Sequence, residues 1–113
     1  MDSDLSQTFG ALADPARLAV IGLLQKQPLR SGEIARQLAL SRPQMSKHLR
    51  VLRRAGLVEE TGLPDDARAR LYQLRPAPFE RVRGWLEEVE AFWGAQLHAF
   101  KAHAERTHGK RRR

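Results

Sequence analysis

Ser41-Arg42-Pro43-Gln44-Met45-Ser46-Lys47-His48-Leu49-Arg50-Val51-Leu52-Arg53-Arg54 decides how the rest of this 113-residue chain is read. The spacing from Ser41 to Gln44 fits a capping box, in which the serine hydroxyl takes the N3 amide proton and the glutamine reaches back to the cap's own N–H. Pro43 sits in the first turn, where a missing N–H costs nothing. Met45, Leu49 and Leu52 then fall at i, i+4 and i+7, one face of a helix that runs to about Arg54 and stops at Gly56. Arg42, Ser46, Lys47, Arg50, Arg53 and Arg54 lie away from that apolar stripe. One face of one helix is therefore cationic.

The elements on either side give this helix its setting. Upstream, Leu5, Phe9 and Leu12 mark a short helix that ends near Ala13, because the residue before a proline avoids the α region. Asp14-Pro15 opens a second helix to about Lys26, with Leu18, Val20, Ile21 and Leu24 on its apolar side, stopped by Pro28. Ser31 is positioned to cap a third, whose inner face is Ile34, Ala35 and Leu38, and Ala39-Leu40 makes a tight connection to Ser41. Downstream, Leu57 to Thr61 and Ala69 to Leu74 read as a β-hairpin around a long loop rich in Gly, Pro and Asp. From Pro78, Val82, Leu86, Val89, Trp93, Gln96 and Phe100 follow a near-heptad spacing, widened by Trp85, Phe92 and Leu97. That helix is expected to run about 27 residues, roughly 40 Å.

Composition narrows the function. There is no cysteine, which excludes disulfides, thiolate metal sites and cysteine nucleophiles. Leu18 to Leu24 is the longest apolar run and is far short of the roughly 20 residues a membrane span needs. The amino end lacks a signal-peptide pattern, so a cytoplasmic protein is expected. No phosphate loop, Ser/His/Asp grouping or plausible carboxylate pair is present, so an enzyme is not expected. The net charge is +7, but five basic residues lie in the last eight positions and residues 1–105 are almost balanced. Between Ile34 and Val58 there are six basic residues and no acid. Residues 1–105 are expected to form one domain and 106–113 a basic, mobile tail able to reach a neighbouring DNA groove.

The fold class is thus mainly α with a small β-hairpin. Two helices joined by a tight turn, the second basic and followed by a hairpin, is the order of a winged helix-turn-helix with a long C-terminal dimerisation helix. A 13-residue helix spans about 20 Å and fits the major groove, where Arg and Lys meet guanine and Gln meets adenine. The expected partner is a double-stranded DNA operator, with Arg42, Gln44, Ser46, Lys47, Arg50, Arg53 and Arg54 on the reading helix and Arg68 and Arg70 on the hairpin. His48 borders the apolar stripe and is read as packed, with one ring nitrogen hydrogen-bonded.

The wording of the chain resembles the ArsR family of small bacterial repressors. The resemblance rests on Phe9-Gly10-Ala11-Leu12-Ala13-Asp14-Pro15-Ala16-Arg17-Leu18, Gly32-Glu33-Ile34-Ala35, Ser41 to Leu52, Ala55-Gly56-Leu57-Val58 and Arg70-Leu71-Tyr72-Gln73-Leu74. It covers about residues 5 to 100. It implies a dimeric repressor that reads an operator with Arg42, Gln44, Ser46 and Lys47 and uses the hairpin as its wing. One departure is Ala39, where the family's turn usually has Gly; if that residue has positive φ, alanine costs on the order of 1 kcal/mol, which strains the turn without abolishing it.

Val82, Trp85, Leu86, Val89, Phe92, Trp93 and Phe100 present more apolar surface than one small core covers, so they are assigned to a homodimer interface. A symmetric pair of reading helices favours an inverted-repeat operator. The alternatives are a zinc- or nickel-responsive repressor using His98, His103 and Glu105, and a protein-interaction module without DNA contact. The spacing of five and then two does not put two of those ligands on one helical face, so no metal or cofactor is assigned.

Overall fold

Asp14 begins the second helix as its sequence demands. With an extended backbone, its Oδ1 accepts the amide protons of Ala16 at 2.8 Å and Arg17 at 3.2 Å. In the computed structural model, which describes the backbone of residues 3–63 and 66–111 and the side chains of residues 4–62 and 70–107, the elements run α1 (Ser3–Leu12), α2 (Pro15–Leu24), β1 (Leu29–Arg30), α3 (Ser31–Leu38), α4 (Arg42–Arg54), β2 (Val58–Leu63), β3 (Asp66–Leu74) and α5 (Pro76–Arg111). The chain falls into two compact units, residues 1–80 and 81–113.

The first unit is built on a core of Val20, Ile21 and Leu24 from α2, Ile34 and Ala35 from α3, Met45, Leu49 and Leu52 from α4, and Leu29, Leu57 and Val58 from the strand region. Leu12, Leu38, Tyr72, Leu74 and Phe79 close its edges. Each large aliphatic side chain sealed in this way contributes about 1.5–3 kcal/mol relative to exposure. The α4 stripe read from the sequence is the part of that helix that is buried. Thr8 is the buried polar residue of α1, and its hydroxyl donates to the Asp4 carbonyl one turn back at 2.9 Å.

The sheet is antiparallel with strand order β1-β3-β2. β2 and β3 pair from Val58 opposite Leu74 to Leu63 opposite Asp66, with an irregularity at Gly62/Leu63. Both strands therefore run further toward the hairpin tip than the turn-forming residues suggested. β1 was not anticipated. It has two residues, and only its pairing of Leu29 with Tyr72 and Arg30 with Leu71 makes it a strand. That pairing also moves the start of α3: Arg30, extended at φ −78°, is the N-cap without a side-chain bond, and Ser31 is already helical rather than the cap.

α3 and α4 end in the same way. Leu40 N–H donates to Ala35 at 2.9 Å and Ala39 N–H to Arg36 at 3.3 Å; Leu57 N–H donates to Leu52 at 2.9 Å and Gly56 N–H to Arg53 at 3.0 Å. Both are Schellman motifs, which need a left-handed residue at the turn. Gly56 supplies it at φ 76°, and Ala39 supplies it at φ 55°, so the cost considered for alanine at that position applies.

α5, which begins at Pro76 in the first unit, is 36 residues long and continues to Arg111 in the second, beyond the 27 expected from its apolar seam. Leu86, Phe92, Trp93, Leu97 and Phe100 are 44–70% exposed along it, and the rings of Phe92 and Trp93 meet edge to face at 5.8 Å. No helix among the described residues is long and apolar enough to cross a membrane.

Candidate nucleic-acid interface

The capping box at the start of α4 is complete. Ser41 Oγ accepts from Gln44 N–H at 3.2 Å, and Gln44 Oε1 accepts from Ser41 N–H at 2.9 Å. This occupies one of the two lone pairs of Gln44 Oε1. Its NH₂ remains a donor, and two-point recognition of adenine would have to share Oε1 between the cap bond and the base through its second lone pair.

At 3.6 residues per turn, Lys47, Arg50 and Arg54 point furthest from the buried Met45-Leu49-Leu52 stripe. All three are exposed, as are Arg42, Ser46 and Arg53 on the flank. Among the described residues, Arg42, Lys47, Arg50 and Arg54 enter no ion pair. Arg53 differs: its Nη1 lies 3.0 Å from Glu60 Oε2 on β2. Arg70 on β3 reaches the same carboxylate, Nε to Oε1 at 3.5 Å. The side chain of Arg68 lies outside the described residues, as do those of Lys110 to Arg113 in the basic tail.

An open groove of about 740 Å³ separates the start of α3, the first turns of α4 and the hairpin. Ala35 and Met45 contribute to its lining, together with Arg30, Arg42 and Arg70, Ser31 and Ser46, and Glu33, Glu60 and Tyr72. Arg30 and Tyr72 were missed in the sequence. Arg30 joins the groove through β1, whose pairing is long-range. Tyr72 is half-buried, and burial together with the neighbouring Glu60 charge raises its hydroxyl pKa above the usual tyrosine value, partly offset by Arg53.

His48 is half-buried, with Nδ1 3.5 Å from Arg17 Nη1, in keeping with a packed rather than an outward role. Guanidinium only donates, so this contact is a hydrogen bond in the tautomer whose Nδ1 carries no proton. Arg17 also donates to the carbonyls of Ala11 and Gly10 and lies 3.8 Å from Asp14. One side chain on α2 thus ties the end of α1 to α4. The nearby Asp14 carboxyl is held below the usual aspartate range, chiefly by the hydrogen bond from the Arg17 amide. On α5, Val82, Trp85 and Val89 are partly buried and Leu86, Phe92, Trp93 and Phe100 exposed. His98, His103 and Glu105 are exposed, and among the described residues no three His, Asp or Glu side chains gather to hold a metal.

A capped basic helix, seated on a second helix through a tight turn and flanked by a β-hairpin, is the working part of a winged helix-turn-helix DNA-binding domain in a transcriptional regulator. A helix-turn-helix domain family matches residues 12–61. Over 91 residues the chain is 40% identical to the HTH-type transcriptional regulator Rv2034 of Mycobacterium tuberculosis, covering 80% of this chain and 79% of that one. It is 30% identical over 56 residues to the transcriptional repressor SdpR of Bacillus subtilis, covering 50% of this chain and 62% of that one. An ArsR-like transcriptional regulator from Rhodococcus sp. RHA1 superimposes with a TM-score of 0.73 at 29% identity, covering 88% of this chain and 91% of that structure. The chain belongs to the ArsR family of winged helix-turn-helix transcriptional regulators.

Proposed function

We propose that the protein is a cytoplasmic repressor that binds an inverted-repeat operator as a homodimer, with residues 1–105 forming the binding and dimerisation domain and 106–113 a basic tail. The observation that carries this reading is the outer face of α4, where Arg42, Lys47, Arg50 and Arg54 stand exposed and unpaired among the described residues. Such a face supplies phosphate neutralisation and guanine contacts at once. The exposed Leu86, Phe92, Trp93, Leu97 and Phe100 of α5 support pairing with a second copy. A two-fold pair would set its reading helices about 34 Å apart, one turn of DNA.

The test is selection of bound duplexes from a random-sequence pool, followed by fluorescence anisotropy against salt. A palindromic consensus with half-sites about one helical turn apart is expected. Lys47→Ala with Arg50→Ala should weaken binding and flatten the salt dependence by about 0.9 per lost phosphate contact. Unchanged binding by that double variant would remove α4 from the interface.

A further inference from the structure

Glu60 sits in β2 directly opposite Tyr72 of β3, with its side chain 22% exposed. Each of its oxygens has a different cation: Oε2 takes Arg53 from the end of the reading helix, and Oε1 takes Arg70 from the wing. Both arginines are more than half exposed, so they are within reach of a polyanion yet already share one negative charge. An arginine that leaves Glu60 for a DNA phosphate gives up its partner and brings the phosphate toward a carboxylate left with one arginine instead of two. Arg42, Lys47, Arg50 and Arg54 of α4 face no such opposition among the described residues.

We infer that Glu60 is a specificity-determining residue, restraining Arg53 and Arg70 from sequence-independent phosphate binding while it holds the wing against the reading helix. The inference rests on the DNA-binding role assigned to α4. Non-specific affinity follows the number of phosphates neutralised, whereas operator affinity also draws on base-edge contacts that Glu60 does not touch. Removing the charge therefore helps arbitrary DNA more than the operator, and discrimination falls.

Glu60→Gln keeps the shape and removes the charge. Its ion pairs are partly solvent-exposed, so the fold should persist, and a thermal melt verifies this. Two duplexes are titrated by anisotropy between 50 and 200 mM salt: one selected from a random pool and one with that sequence scrambled. The scrambled duplex should bind the variant about three-fold or more tighter at 50 mM, with a log–log salt slope steeper by about 0.9, which amounts to an extra loss of about 3.5-fold across the range. The selected duplex should gain less. In an Arg53→Gln, Arg70→Gln background the same change at Glu60 should leave the slope unaltered.

Equal gains on both duplexes, or no change in slope, would overturn the inference, as would a loss of affinity on both with a lowered melting point, which is the mark of a purely structural residue. If the wild-type protein binds neither duplex in a way that depends on Lys47 and Arg50, it is the assigned face that fails. Wild-type binding that does depend on them, with an indifferent Glu60 variant, leaves that face standing and removes only the role of Glu60.

Discussion

Replacing Ala39 with glycine should stabilise the protein, although it deletes a methyl group. Ala39 holds φ 55° and ψ 42° at the end of α3, a conformation that costs an L-residue roughly 1–2 kcal/mol. Glycine escapes that strain but loses about 0.4–1 kcal/mol through its freer unfolded chain. Ala39 is exposed, so no packing is sacrificed. The balance is a gain of about 1 kcal/mol, or about 4 °C in melting temperature for a chain of this size. The end of α4 supplies the reverse experiment. Gly56 occupies the same Schellman position, and a Cβ added there would meet Arg75 at 3.7 Å, an ordinary contact. Gly56→Ala should therefore cost about 1 kcal/mol net, the backbone strain less the entropy removed from the unfolded chain. Urea unfolding at one fixed protein concentration measures both, since association makes apparent stability depend on concentration. The midpoints should move in opposite directions at unchanged m. A destabilised Ala39→Gly variant would refute the reasoning, because it would mean that the turn between the two helices carries no left-handed strain.

Gln44→Glu should keep the capping box, since glutamate serves equally at N3, and should gain about 0.3–1 kcal/mol from the helix dipole while weakening DNA binding through a new negative charge; anisotropy and melting on the same sample check this, and loss of both stability and affinity would contradict it. Asp14 has a folded pKa below its unfolded value of about 3.8, so its support of the fold is complete above that value and is lost as pH falls through the lower folded one. The stability difference between wild type and Asp14→Asn, followed by urea midpoints from pH 6 to pH 3, should shrink below about pH 4, and a pH-independent difference would refute the linkage. Trp93→Asp places a charge in the exposed apolar line of α5. It should convert a dimer mass to a monomer mass in sedimentation at micromolar concentration, and a monomeric wild type would remove the dimer.

What could be read in the sequence was local. The box between Ser41 and Gln44 closes within four residues, and both of its bonds are present as read. Asp14-Pro15 and the Met45-Leu49-Leu52 stripe are local in the same sense. β1 was hidden because Leu29 and Arg30 owe their strand to Tyr72 and Leu71, some forty residues on, and no period can show in two residues. The cap of α3 was misplaced for the same cause: serine is a favoured cap by type, but the strand pairing holds Arg30 extended and hands Ser31 to the helix. At the far end of α5 the apolar seam stops at Phe100, while Ala, Glu, Lys and Arg beyond it are good helix formers that need no seam. The pairing of Arg53 with Glu60 was equally invisible. Charge runs show which residues are basic, and only the register of the hairpin shows which of them already have a partner.

That distinction separates two ways in which this domain can lose its grip on DNA. On the proposed reading, Arg42, Lys47, Arg50 and Arg54, unpaired among the described residues, act as free cations, and removing one should lower both affinity and the salt slope. Ala39, Ser41, Arg17 and Leu49 contribute by placing the helix: the turn sets its origin, the cap its first residue, the guanidinium its tie to α2 through His48, and the buried leucine its depth. Changes among these should shift affinity at every salt concentration by a common factor, because they leave the number of phosphates engaged unaltered. Arg53 and Arg70 belong to neither group while Glu60 holds them. A net charge of +7 counts all these residues alike, whereas the slope of binding against salt sorts them by what each one does.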